Sequence, residues 1–117
     1  MKNPLDPRHK KRQKTVEDLF KNSFTNQRLG EDAKKVIIHL KDIDKTVISA
    51  APEFPIDKIN RIDLAILRLA VYELEILKKE PPRVIVDESI ELAKEYGGDK
   101  SPAFINGALG KIINKNE

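Results

Sequence analysis

No cysteine occurs among the 117 residues, which excludes disulfides, thiolate nucleophiles and zinc–sulfur sites. A chain without disulfides suits a reducing compartment. Every apolar run falls far short of the ~18 residues that suggest a membrane span. The N-terminus is basic but lacks the apolar stretch of a secretory signal. A soluble, cytoplasmic protein is therefore expected, with no membrane partner. Aromatic residues make up only 5% of the chain and form no ladder interleaved with basic residues, so base stacking of the RRM kind is not indicated. His9 and His39 stand far apart, with no carboxylate spacing that suggests a metal site. Gly97-Gly98 follows a helical segment rather than a strand, so no phosphate-cradling loop is present. No serine occupies a nucleophile elbow. Without a constellation of reactive groups, neither catalysis nor a cofactor is expected.

What the chain does have is unevenly placed charge. Residues 1–14 carry Lys2, Arg8, Lys10, Lys11, Arg12 and Lys14 against Asp6, a net of +5, whereas the rest carries 16 basic and 18 acidic side chains, a net of −2. A basic head on a near-neutral body is a footprint of polyanion binding, because adjacent cations release the counterions condensed on phosphates. A solvated tail that aids solubility is the bland alternative. Charge alone does not choose RNA over DNA.

The length fits one domain with a single core. Residues 1–9 read as a mobile basic arm, residues 10–50 as an N-terminal helical part and residues 56–114 as a C-terminal one. The first helix is expected from about Lys10, with Val16, Leu19, Phe20 and Phe24 on its apolar face. A second helix runs from Glu31 to about Ala50, where Ala33, Val36, Ile37, Leu40, Ile43, Val47 and Ile48 form one stripe. Pro52 ends it, and Pro55 starts a short connector helix. Asn60 caps a third long helix that is apolar on nearly every side from Ile62 to Leu77, as a central helix should be. Pro81-Pro82 stop it. A fourth helix spans Arg83 to Tyr96, with Gly97 expected as a left-handed C-cap. Ser101-Pro102 opens a fifth, which ends near Ile113. The expected class is all-α: a compact bundle of about five main helices plus the connector.

Charges inside the most apolar helix need partners, so Glu73 is expected in an ion pair within the core, with Arg61 or Arg68 opposite. Tyr72 and Tyr96 read as core-edge rings with wet hydroxyls. Gly107, inside a helix, is expected to mark a close helix–helix approach.

Four pieces in order carry a resemblance: Ala65-Ile66-Leu67-Arg68-Leu69-Ala70, Tyr72-Glu73-Leu74, Glu91-Leu92-Ala93-Lys94 and Phe104-Ile105-Asn106-Gly107. Together they resemble the C-terminal half of the NusB family of bacterial transcription antitermination factors. The resemblance continues more weakly to the N-terminus, through Arg8-His9-Lys10-Lys11-Arg12 and the pair Leu19-Phe20. It implies an all-helical fold and binding to the single-stranded boxA element of ribosomal RNA leaders. The implied partner is the small-subunit ribosomal protein that serves as NusE, and the implied effect on the RNA polymerase elongation complex is indirect. It also implies RNA contact at Arg8, His9, Lys10 and Arg12, to which the charge pattern adds Lys11 and Lys14. Phe20 and Asp63 match positions on the NusE-facing surface; Asp63 could equally serve its own helix as a cap. Family chains usually carry one more helix before Glu31, so the N-terminal half should be smaller here. Two alternatives stand beside this reading: a detached NusB-like module of an rRNA methyltransferase system, and a helical protein-docking module without RNA binding.

Overall fold

Asp6-Pro7 starts the first helix, earlier than periodicity suggests. In the computed structural model, which describes residues 6–25 and 28–115, the Asp6 carboxylate accepts a hydrogen bond from the Arg8 N–H at 2.9 Å. Pro7 takes the first helical position, where its missing N–H costs nothing. Helix α1 therefore runs Pro7–Asn22. Arg8 and His9 belong to it rather than to a mobile arm; residues 1–5 lie outside the described residues. An Asp-Pro pair reads as a loop by composition, yet here it is a cap.

The long second helix is two helices, α2 Glu31–Ile38 and α3 Leu40–Ala50. At His39 (φ −102°, ψ 14°) the chain leaves helical geometry, and the His39 N–H closes a tight turn onto the Val36 carbonyl at 3.0 Å. A straight helix of that length would reach about 30 Å, nearly the full extent of the molecule at 35 × 31 × 29 Å. The break instead lets α2 lie on α1 while α3 packs on α4 and α6. Ala33, Val36, Ile43, Val47 and Ala50 stay buried, whereas Ile48, expected in the stripe, is exposed.

The connector is a single 3-10 turn, Ile56–Lys58. Asn60 then caps α4, Arg61–Val71, its Oδ1 accepting from the Ile62 N–H at 2.9 Å. Residues 64–67 and 69–71 are all buried, because α4 is touched by α1, α3, α5 and α6. This is the central helix that its all-round apolarity demands, and it belongs to the expected C-terminal part while packing against α1 and α3 of the N-terminal one.

Beyond Val71 the helix widens into a π-turn, Tyr72–Leu77. It closes with a hydrogen bond from the Lys78 N–H to the Glu73 carbonyl at 2.9 Å, five residues back. Lys78 takes the left-handed conformation (φ 53°), which is uncommon for a side chain other than Gly or Asn. Helix α5 spans Pro82–Tyr96 and α6 spans Ser101–Lys115. The connection between them, residues 97–100, folds α6 back on α5. Gly97 is extended there (φ −92°, ψ −172°), so its glycine is required by space and not by handedness. A Cβ would run into the Ser101 side chain and lie 2.8 Å from the Ala93 carbonyl. Gly107 meets nothing within 4 Å; it faces open solvent, and no neighbouring helix approaches it. Among the described residues every regular element is helical, and no helix is long and apolar enough to cross a membrane.

Candidate nucleic-acid interface

The basic head divides into two populations once it is wound as a helix. Successive residues turn by about 100°, so Arg8, Lys11, Arg12 and Thr15 share one face. His9, Gln13 and Val16 share the next, and Lys10 and Lys14 look away from both. Arg8, Lys10, Lys11 and Lys14 are exposed, whereas His9 and Arg12 are buried at 4% and 9% exposure.

The two buried cations face carboxylates. Arg12 forks onto Glu73 of the π-turn, Nη2 to Oε1 at 2.8 Å and Nε to Oε2 at 2.9 Å. Its Nη1 donates to Glu88 of α5 at 3.3 Å. Burial pulls the Arg12 pKa down, but Glu73 and Glu88 outweigh it and the net shift is up. The His9 ring lies between Glu88 (Nδ1 to Oε1, 3.0 Å) and Glu95 (Nε2 to Oε1, 3.0 Å). Burial again opposes the charge, and the two carboxylate hydrogen bonds reverse it, so the His9 pKa is raised. With a carboxylate on each ring nitrogen, the imidazolium can donate both of its N–H bonds. The resulting chain Glu95–His9–Glu88–Arg12–Glu73 rivets α1 to α5 and the π-turn. Neither buried side chain is presented to solvent, unlike the arm expected from the sequence.

Glu73 does sit in an ion pair, as its apolar surroundings require, but its partner is Arg12 and not Arg61 or Arg68. Arg68 instead forks onto Asp44 of α3 at 2.9 and 3.0 Å. Arg61 donates to the Ser23 carbonyl at 2.7 Å and stands 4.3 Å over the Phe24 ring. Tyr96 donates its hydroxyl to Glu17 at 2.5 Å; burial first, and then Glu17, raise its pKa.

The outer face of α1 borders a groove of about 280 Å³, walled by Arg8, Lys11, Arg12 and Thr15 of α1, Asp32 and Lys35 of α2, and Tyr72, Glu73 and Leu77 of the π-turn, with Lys79 and Glu80 beyond it. Lys35 and Lys79 come from elements remote in sequence and were not signalled by the N-terminal charge run. Three acids temper these cations: Arg8 meets Asp6 at 3.2 Å and Glu80 at 3.5 Å, and Lys11 meets Asp32 at 3.7 Å. Lys14 is held to Asp18 at 2.6 Å. The Arg8 and Lys11 pairs are solvent-exposed and worth little, so either can be exchanged for a phosphate, whereas the Asp18 partner of Lys14 is buried.

Phe20 and Asp63 lie at two neighbouring concavities that share Asn60. Phe20 lines one with Phe24, Arg61, Ile62 and Tyr96, its ring edge-on to Phe24 at 5.0 Å. Asp63 lines the other with Phe54, Ser101 and Phe104. Asp63 is buried, and its Oδ1 has no hydrogen-bond partner among the described residues. Burial raises its pKa, against the opposing Ser101 hydroxyl. The helix start is capped by Asn60, and among the described residues no backbone N–H donates a cap hydrogen bond to the Asp63 carboxylate.

Comparison with known proteins places this geometry. The chain is 38% identical over 104 residues to the transcription antitermination protein NusB of Alkaliphilus oremlandii, covering 86% of this chain and 75% of that one. It is 35% identical over 101 residues to that of Agathobacter rectalis, covering 81% and 77%. A 73-residue stretch is 44% identical to the protein of Clostridium novyi, covering 62% of this chain and only 55% of that relative. Among solved structures, NusB of T. maritima superposes with a TM-score of 0.82 at 26% identity, covering 98% of this chain and 94% of that one. Nearly all of that fold is thus represented in this chain. A structure of the antitermination factors NusB and NusE in complex with double-stranded RNA shares the fold, with a TM-score of 0.78 at 22% identity. Residues 4–114 match the model of the NusB family, which takes in the basic α1, the central helix and all four ordered C-terminal pieces: the chain belongs to the NusB family.

Proposed function

We propose that the chain is a non-enzymatic, RNA-binding transcription antitermination factor acting in the cytoplasm. Its RNA is the boxA-type leader of rRNA operons, bound together with the NusE ribosomal protein. The observation that carries this reading is the cationic groove beside α1, rimmed by Arg8, Lys11, Lys35 and Lys79 on a NusB fold. Exposed Lys10 and Lys14 extend the positive field along the same helix. In this reading Arg8, Lys10, Lys11 and Lys14 meet phosphates. His9 and Arg12 hold rigid the helix that presents them, which lowers the entropic cost of binding. Phe20 and Asp63 mark the face that takes NusE, where aromatic rings and one desolvated carboxylate stand among charged side chains. The solved NusB–NusE–RNA assembly of a fold relative supports the pairing of both partners on one such body.

A titration of boxA RNA against a scrambled RNA, with and without NusE, tests the proposal. The expected result is a preference for boxA that NusE strengthens. Equal affinity for both RNAs under both conditions would remove the boxA assignment. Replacing Arg8, Lys10, Lys11 and Lys14 by Ala should lower the salt slope by up to about 3 units, at about 0.7 per phosphate contact on a single strand.

A further inference from the structure

A second basic groove lies away from α1. It opens between α3 and α6, with Lys45, Thr46 and Ser49 on one wall, Lys111 and Lys115 on the other, and Glu75 of the π-turn at its edge. Its volume of about 500 Å³ exceeds the 280 Å³ of the α1 groove.

The wall residues are arranged in two facing rows. Lys45 and Ser49 are one helical turn apart on α3, as are Lys111 and Lys115 on α6. Lysines at that spacing repel one another and cost their helix a few tenths of a kcal/mol. Among the described residues none of the three ammonium groups forms a salt bridge. Lys115 Nζ instead donates to Ser49 Oγ across the groove at 3.1 Å. The Thr46 hydroxyl donates to Glu75 at 2.8 Å, which draws that carboxylate toward α3. Buried Ile112 and Ala50 provide an apolar floor.

We propose that this groove binds the phosphate backbone of RNA as a second contact, independent of sequence. Three lysines and a serine hydroxyl supply point charges and a donor, the chemistry that grips phosphate. Among the described residues no aromatic or arginine side chain lines the groove, so they offer neither a stacking platform nor a bidentate fork for base edges. The π-turn sends Tyr72, Glu73 and Leu77 to the α1 groove and Glu75 to this one. The two grooves therefore flank one structural element, and a single strand of sufficient length can engage both. Choosing RNA as the polyanion rests on the function proposed above; the phosphate chemistry does not.

The test is an NMR titration of the full chain with oligouridylate of about 20 nucleotides, longer than the roughly 4–16 nucleotides a single-strand-binding fold occupies. It is run on the unsubstituted protein and on two variants. One carries Arg8→Ala, Lys10→Ala and Lys11→Ala; the other carries Lys45→Ala, Lys111→Ala and Lys115→Ala. All substituted side chains are exposed, and spectral dispersion reports whether each variant folds. The amides of Ser49, Lys111 and Lys115 should shift with RNA in the unsubstituted protein and in the α1 variant. In the groove variant the Ser49 shift should vanish, and the salt slope should fall by about 2 units for three lost contacts. Shifts confined to α1 overturn this proposal and leave the α1 reading standing. Shifts confined to the α3–α6 groove do the reverse. Sodium tripolyphosphate gives the last arm: if it moves these amides at lower phosphate concentration than RNA does, the groove takes a free anion and the RNA assignment is overturned.

Discussion

Arg12 and Glu73 face each other across the α1–π-turn junction through two parallel hydrogen bonds, at 2.8 and 2.9 Å, with both residues under a tenth exposed. Removing Arg12 leaves Glu73 as a buried charge without its partner, and removing Glu73 leaves buried Arg12 with only the longer contact to Glu88 at 3.3 Å. That is costly, typically about 3–5 kcal/mol, whereas removing both leaves less to regret. Arg12→Ala and Glu73→Ala should each destabilise by roughly that amount in urea unfolding. The double variant should fall short of the sum by more than about 1 kcal/mol. Additive losses below about 1 kcal/mol each would show that the pair does not hold α1 in place.

His9 makes the same junction pH-sensitive. Its pKa in the folded chain is raised above the ordinary 6.5, burial being outweighed by Glu95 and Glu88. The folded state therefore binds the proton more tightly than the unfolded chain. The stabilisation is present in full below pH 6.5 and is lost as pH rises through the higher folded value. The groups facing the ring are Glu88 and Glu95 of α5, with Arg12 nearby on α1 sharing Glu88. Chemical unfolding followed across pH 5.5 to 8.5 (a window on the order of one to two units around an ordinary histidine) should show stability declining, and His9→Gln should flatten the decline. An unchanged pH profile in that variant would assign the dependence to another group.

These two residues also show what the sequence could and could not reveal. Helix positions were legible because apolar side chains recur at helical spacing and because Asn60, Pro81-Pro82 and Ser101-Pro102 punctuate the chain. The centrality of α4 followed from its apolarity on all sides. The break at His39 was not legible, since no glycine or proline marks it and the cause is tertiary: α2 and α3 cover different neighbours. The partner of Glu73 was invisible for a similar reason. A local search finds Arg68, five residues back, but the π-turn rotates Glu73 toward Arg12, 61 residues away. The cationic head was read correctly as charge and wrongly as uniform. Winding it from Pro7 turns His9 away from Arg8, Lys11 and Arg12, and the carboxylates of Glu73 and Glu88 then draw Arg12 into the buried wall of the groove.

Two glycines, one in the α5–α6 connection and one within α6, should respond in opposite directions to the same substitution. At Gly97 a Cβ collides with Ser101 and the Ala93 carbonyl, so Gly97→Ala forces the α5–α6 connection apart and should cost about 1–3 kcal/mol. At Gly107 the added methyl meets open space within a helix. Gly107→Ala should therefore gain about 0.5–1 kcal/mol by restricting the unfolded chain. Thermal or urea unfolding of the two variants decides it. A stability loss at Gly107 would show that the added methyl meets a neighbour within the folded chain rather than open space.

Lys35 and Lys79 provide the sharpest check on where RNA runs, because neither belongs to the N-terminal charge cluster. Both are exposed and both border the α1 groove, one from α2 and one from the segment after the π-turn. If a phosphate backbone follows that groove, Lys35→Ala and Lys79→Ala should each lower the salt slope of RNA binding by about 0.7 units. Folding stability should change by no more than about 0.5 kcal/mol, as for ordinary surface substitutions. If the strand is instead held only by the outward face of α1, Lys10→Ala and Lys14→Ala will lower the slope while Lys35→Ala and Lys79→Ala leave it untouched. The four single variants measured at two or three salt concentrations separate a path through the groove from one along the exposed ridge of the helix.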